Sequence, residues 1–172
     1  KLMSIYDKRL ANLDALNSFA TPKTTSTKGN IICRKAYDYY YFCPTMDSET
    51  AYKMFKEGIN DMGPNTEAFV LYAFMDCSYR RYMANKANTD IRQEFIQDYM
   101  LTNDICDRLL EQAKEYPSET IPADPESEDS TKWVEQIKLH PEAEKIITAY
   151  QPTQNQANEL FVSSGAADCE AL

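Results

Sequence analysis

The chain has 172 residues, with 27 acidic against 18 basic side chains and a formal net charge of −9; this argues against nucleic acid, whose phosphates are held by clustered Lys and Arg, and against anionic membrane surfaces. Its 43% apolar and 26% charged residues are those of a globular domain, and a chain of this length can bury roughly 70% of its unfolded surface without metals or disulfides. Only four residues are Gly, against about twelve for average usage, so helices are favoured over a turn-rich sandwich or barrel.

Amphipathic segments follow one another along the chain. In residues 2–16, Leu2, Ile5, Tyr6, Leu10, Leu13 and Leu16 share one helical face. Residues 20–30 hold Pro22, Gly29 and a run of Thr, Ser and Lys, which reads as a polar loop. Residues 30–42 make the next helix, with Ile32, Ala36, Tyr39 and Tyr40 at helical steps and Pro44 closing it. Asp47 or Ser48 caps a helix over 49–62 whose apolar face is Ala51, Met54, Phe55, Gly58 and Met62. Gly63-Pro64 ends it, Gly as a left-handed C′ residue and Pro forbidding continuation. Asn65 or Thr66 caps the next helix, which runs to about Ala84. Its apolar residues, among them Phe69, Leu71, Tyr72, Phe74, Met75 and Tyr82, lie nearly all round, so it belongs in the middle of a stack.

Thr89 is the N-cap of the longest helix, 90 to about 115, with Ile91, Phe95, Tyr99, Thr102, Cys106 and Leu109 in one stripe. Residues 116–130 differ: Pro117, Pro122 and Pro125 stand among Glu119, Asp124, Glu126, Glu128 and Asp129 with no basic residue, a solvated loop. After residues 131–139, Pro141 at N1 opens a helix to Tyr150. Pro152 breaks it, and Thr153-Gln154-Asn155-Gln156 is a capping box for a last short helix ending near Ser163-Ser164-Gly165. Short breaks between such helices fold them into antiparallel hairpins. The expectation is one all-α helical-repeat domain over 1–172, built of stacked antiparallel hairpins. No apolar run approaches the ~20 residues that span a bilayer, and no membrane insertion is expected.

The stretch Ala51-x-x-x-Phe55-x-x-Gly58, ending at Gly63-Pro64, resembles the second helix of a tetratricopeptide repeat. In that motif small residues sit where two helices touch, an aromatic fills the groove, and a proline ends the unit. Tyr39 stands where the motif's first helix has Gly. A longer pattern runs from Leu2-Met-Ser-Ile-Tyr-Asp-Lys-Arg through Arg34-Lys-Ala-Tyr, Ala51-Tyr-Lys-Met-Phe and Phe95-Ile-Gln-Asp-Tyr-Met-Leu-Thr-Asn-Asp-Ile-Cys-Asp to Ser164-Gly-Ala-Ala-Asp-Cys-Glu-Ala-Leu. It resembles a group of tetratricopeptide-like proteins of Bacteroidetes bacteria. The resemblance implies a tetratricopeptide-like α-α superhelix and an exported protein, periplasmic or outer-membrane-associated, with a cytoplasmic chain as the alternative. It also implies further repeats after residue 172, which would be partners of this segment. The start at Lys1 rather than Met, and residues 165–172 reading as a helix just beginning, agree with a part of a longer protein. The group carries no agreed activity to transfer.

For catalysis the residues offer little. The one histidine, His140, stands before Pro141 at a helix start, where a cap or loop histidine is the simpler reading, and no HExxH, P-loop or GxGxxG is present. The acids of 116–130 lack the Gly and the distal Glu of a calcium loop. No catalytic residue, metal site or cofactor is therefore expected. Asp76 and Asp98 stand out as acids in apolar helices; Asp76 can pair with Arg80 at i,i+4. The cysteines (Cys33, Cys43, Cys77, Cys106 and Cys169) follow no metal spacing and read as buried small hydrophobes, with a Cys77–Cys106 disulfide as the other possibility. Twelve residues are Tyr. They either fill hairpin grooves or, with Arg, make a binding surface, since both types are enriched in hot spots. On the second reading Tyr37, Tyr41, Arg80 and Arg81 are the partner-binding residues. The leading expectation is a non-enzymatic scaffold binding a protein or peptide. A carboxylate-based, carbohydrate-active hydrolase and a structural spacer are the alternatives.

Overall fold

The computed structural model describes residues 1–21 and 25–166; Pro22 of the polar segment, Cys169 and residues 167–172 of the expected final helix lie outside the described residues. Among the described residues the protein is all-α. The helices are α1 (Leu2–Ala11), α2 (Leu13–Ser18), α3 (Lys28–Phe42), α4 (Ser48–Met62), α5 (Ala68–Ala84), α6 (Thr89–Lys114) and α7 (Pro141–Ser164). A two-stranded antiparallel ribbon of β1 (Glu119–Ile121) and β2 (Gln136–Lys138) stands between α6 and α7.

Consecutive helices from α3 onward lie antiparallel. Cys33 of α3 meets Gly58 of α4, Arg81 of α5 meets Glu49 of α4, Ser78 of α5 meets Asp98 of α6, and Tyr99 of α6 meets Phe161 of α7. Alternate helices consequently run parallel: α3 beside α5 through Arg34–Glu67 and Tyr40–Asp76, α4 beside α6 through Lys56–Asp98. This is a stack of hairpins, the arrangement that short breaks between amphipathic helices enforce. Helix α5 sits inside it and touches α3, α4, α6 and α7. Its Val70, Leu71, Ala73, Phe74, Met75 and Cys77 are fully buried, as its all-round apolar surface demands.

The first hairpin is closed by small residues. A side chain on Gly58 would meet Cys33 Sγ at 2.5 Å and the Cys33 backbone N at 2.9 Å. Gly29 sits one turn away against the Gly58 carbonyl, and its N–H donates to Asp61 Oδ2 at 2.7 Å. Ala51 and Phe55 are fully buried beside this contact, so the small-and-aromatic pattern of α4 marks a helix crossing. On α3, however, Gly29 and Cys33 make the close approach, and Tyr39 instead takes the Asp47 N–H at the hairpin turn.

Several boundaries differ from expectation, each for a local reason. The segment 2–16 is two helices, because Asn12 leaves the helix (φ −120°, ψ 22°) and its amide donates to the Lys8 carbonyl, a side-chain bond that competes with helix propagation. Its apolar stripe is covered only in part: Leu2, Ile5 and Leu16 are exposed. Lys28, Gly29 and Asn30 are the first turn of α3, not loop, since Thr27 Oγ1 accepts the Asn30 N–H. Asp47 does cap α4. Gly63 has the positive φ expected (53°) but ψ −131°, outside the left-handed helical region. Thr66 does not cap α5, because its hydroxyl is turned inward onto the Gly63 carbonyl; Glu67 holds that position without a side-chain bond. Asn88, not Thr89, caps α6, accepting from the N–H groups of Asp90 and Ile91. The acidic stretch is solvated as expected but contains β1, whose Glu119 faces Lys138 across the ribbon.

Pro152 does not end its helix: α7 runs unbroken through it, and residues 153–156 lie inside rather than at a cap. An interior proline costs about 3 kcal/mol. Here tertiary contacts on both sides of it hold the helix together. Tyr150 Oη donates to the Thr66 carbonyl at 2.9 Å, the Thr153 hydroxyl reaches the Ala68 and Ala149 carbonyls, and Ala157 and Phe161 pack on α5 and α6.

Replacing Gly58→Ala should separate α3 from α4. Overpacking of roughly 1–3 kcal/mol works against about 1 kcal/mol of gained helix propensity, so a net loss of stability is expected in urea denaturation, whereas Gly→Ala in an open helix face would stabilise. Pro152→Ala restores a backbone donor and should raise stability by about 1–3 kcal/mol; an unchanged or lowered midpoint would mean that α7 depends on the proline ring for packing.

Candidate functional site

Helices α3, α5 and α7 leave an open groove of about 770 Å³ between them. On its α3 side, Tyr37 and Tyr41 lie one turn apart with ring centroids 4.8 Å apart. Tyr37 meets Phe69 of α5 edge to face at 5.1 Å and 82°, the offset geometry aromatic quadrupoles prefer. Tyr72, one turn beyond Ala68 on α5, and Tyr150 and Pro152 of α7 complete the lining. Tyr41 and Tyr72 are each 44% exposed, so their rings are presented rather than buried. Tyr150 is fastened to Thr66, just before the Glu67 cap of α5, which fixes the α7 wall against the α5 wall.

The expected binding residues divide. Tyr37 and Tyr41 are both in the groove. Arg80 lies just outside it, on the line Tyr72, Asp76, Arg80 that runs along one face of α5 at four-residue steps. Its Nε donates to both Asp76 oxygens at 3.1 Å, the i,i+4 pair read from sequence, and Tyr40 Oη donates to the same carboxylate at 2.8 Å. Burial pushes the Tyr41 hydroxyl up to about 12 and, with the Asp76 hydrogen bond, raises Tyr40 further, so both remain neutral donors at any physiological pH. Arg81 points the other way and is structural. Only 11% of its side chain is exposed; it bridges Glu49 of α4 and Glu94 of α6 and lies 4.3 Å over the Tyr52 ring.

Sequence reasoning missed Phe69, Tyr72, Tyr150 and Glu67 as groove residues. The Tyr72–Asp76–Arg80 spacing was a usable signal. Nothing local, however, says that Tyr150 of α7 arrives beside Thr66, across 84 positions of chain.

The other candidate groups have structural placements. Cys33, Cys77 and Cys106 are buried free thiols, each pushed up to about 12 mainly by burial, so no Cys77–Cys106 bridge joins α5 to α6; Cys43 is half-exposed. His140 is the N-cap of α7, its Nδ1 accepting the Glu142 N–H, and its ring stacks on Tyr116 at 4.9 Å. In the acidic segment Asp129 accepts from the Thr131 N–H and hydroxyl.

Asp98 is the most constrained acid. It is fully buried, with Oδ1 2.6 Å from Lys56 Nζ and Oδ2 2.6 Å from Ser78 Oγ. Burial raises its carboxyl above the usual range despite hydrogen bonds from Lys56, Ser78 and Tyr52 that act in the opposite sense. A carboxyl raised on folding favours the state that holds the proton. Its contribution is therefore complete below the unfolded value near 3.9 and is lost as pH rises from there through the folded value. The stability difference between wild type and Asp98→Asn, measured by urea denaturation from pH 3.5 to 7, should thus shift against the wild type as pH increases across that window; a difference moving the other way would show that Lys56 dominates the site.

Compared with protein-family models, with curated proteins and with solved structures, the chain matches none.

Proposed function

We propose that this chain is a helical-repeat scaffold of tetratricopeptide-like hairpins, without catalytic chemistry of its own, that binds a protein segment as an extended peptide in the groove of α3, α5 and α7. The observation that carries the reading is the convergence of five aromatic rings from three helices on one open, preformed groove. Tyr37, Tyr41 and Tyr72 offer apolar faces and hydroxyl donors on stiff side chains, so little conformational entropy is lost when a partner docks. The groove is open to solvent rather than enclosed, which suits a chain segment better than an enclosed small substrate. Asp98, the acid best suited to catalysis by its burial, has its oxygens taken up by Lys56 and Ser78 inside the stack, which favours the scaffold over the carboxylate hydrolase. By the resemblance to exported Bacteroidetes proteins, the same proposal sets the chain outside the cytoplasm, with following repeats extending the surface.

The test is selection of a random peptide library on the immobilised protein, followed by fluorescence anisotropy with the selected peptides. Tyr41→Ala and Tyr72→Ala should each weaken binding by about 1–2 kcal/mol, the scale of an aromatic hot spot, while a control at the exposed Val162, Val162→Ala, leaves it unchanged. Peptides that bind all three variants equally would place recognition elsewhere.

A further inference from the structure

We infer that the occupant of this groove is anchored by a cation, the side chain of a Lys or Arg in a basic partner segment. The inference rests on the peptide-binding reading above and adds the chemistry of the anchor.

Two observations converge. First, the charged residue among those lining the groove is a carboxylate, Glu67. It is one-third exposed and uses one oxygen for Arg34 Nη2 at 2.7 Å and the other for Asn30 Nδ2 at 3.0 Å. A carboxylate offers about four acceptor sites, so capacity remains for an incoming donor. Second, this chain covers its own ring clusters with cations. Arg34 lies 5.3 Å over Phe69, Lys56 lies 5.6 Å over Phe74, and Arg81 lies 4.3 Å over Tyr52. Among the described residues no such cation lies over Tyr37, Tyr41 or Tyr72, and Arg80, the nearest candidate, is held by Asp76. Tyr37 and Tyr41 pack on each other and on Phe69 and Tyr40, so it is the half-exposed Tyr72 ring that offers a negative π-face of the kind occupied elsewhere in the fold. Aromatic faces and a carboxylate together match an ammonium or guanidinium group better than an apolar or anionic one. The chain's net charge of −9 adds long-range attraction for a basic segment.

The test uses the intact protein and short capped peptides that carry one central lysine in a Gly/Ser/Pro background, with arginine, trimethyl-lysine and norleucine counterparts. Binding is read as amide and ring shift changes in NMR titrations. The cationic peptides should bind roughly three- to tenfold more tightly than the norleucine peptide, with shifts centred on Tyr41, Tyr72 and Glu67. Tyr72→Leu keeps an apolar wall but removes the π-face, and should erase the preference without unfolding the protein; Glu67→Gln should reduce it. Neutralising the ribbon acids with Glu126→Gln and Glu128→Gln should leave it intact. Equal binding of the norleucine peptide would overturn the cationic anchor while sparing the peptide groove. No binding by any peptide would sink both. A cation preference that survives Tyr72→Leu and disappears with the ribbon acids would reduce the effect to diffuse charge, and the inference would be lost.

Discussion

Everything in this fold depends on covering α5. A helix with Val70, Leu71, Phe74, Met75, Cys77 and Tyr82 spread over most of its circumference has little surface it can leave in water beyond the Tyr72–Asp76–Arg80 line, and burial of each large side chain is worth about 1.5–3 kcal/mol. Four helices therefore close on it: α3 and α7 along one side, α4 and α6 along the other. The order of the stack follows from that need, since each hairpin hides a surface its neighbour cannot hide alone.

Polar groups fasten this cover at defined points. Arg81 of α5 reaches α4 and α6 together through Glu49 and Glu94. Lys56 of α4, Ser78 of α5 and Asp98 of α6 meet inside the same seam. Buried ionic groups of this kind are a weak source of net stability. What they supply here is register: each can be satisfied at one mutual position of three helices, and a slip of one turn would strand a buried carboxylate. The Gly29–Gly58 crossing does the same for α3 and α4 by sterics, because the approach is possible only where no side chain intervenes.

The groove lies where the cover of α5 is incomplete, at its first turns, between the rings of α3 and the wall of α7. Of its three helices, α3 and α5 are held by these seams and α7 by the Tyr150 and Thr153 bonds to the start of α5; on the proposed reading, walls fixed in this way lower the ordering cost of association. Pro152 sits at this wall. Its persistence in a helix interior, where it removes a hydrogen bond, is a local conflict between intrinsic propensity and tertiary packing.

Apolar periodicity, cap chemistry and i,i+4 charge spacing in the sequence alone determined the helical class, the buried central helix, a cap at Asp47 or Ser48 and the Asp76–Arg80 pair. Each of these depends on contacts within a few residues, where the 3.6-residue repeat and cap chemistry act directly. The tertiary structure alone decided the rest. Pro152 reads as a break because its intrinsic cost is local, but the bonds from Tyr150 and Thr153 to the start of α5 come from distant chain and outweigh it. Thr66 reads as a cap until its hydroxyl is drawn inward, and Arg81 reads as surface until two acids from other helices enclose it. The meeting of Tyr37, Tyr72 and Tyr150 has no sequence signature, because the packing that brings these rings together is set by the seams between whole helices and not by the neighbours of any one residue.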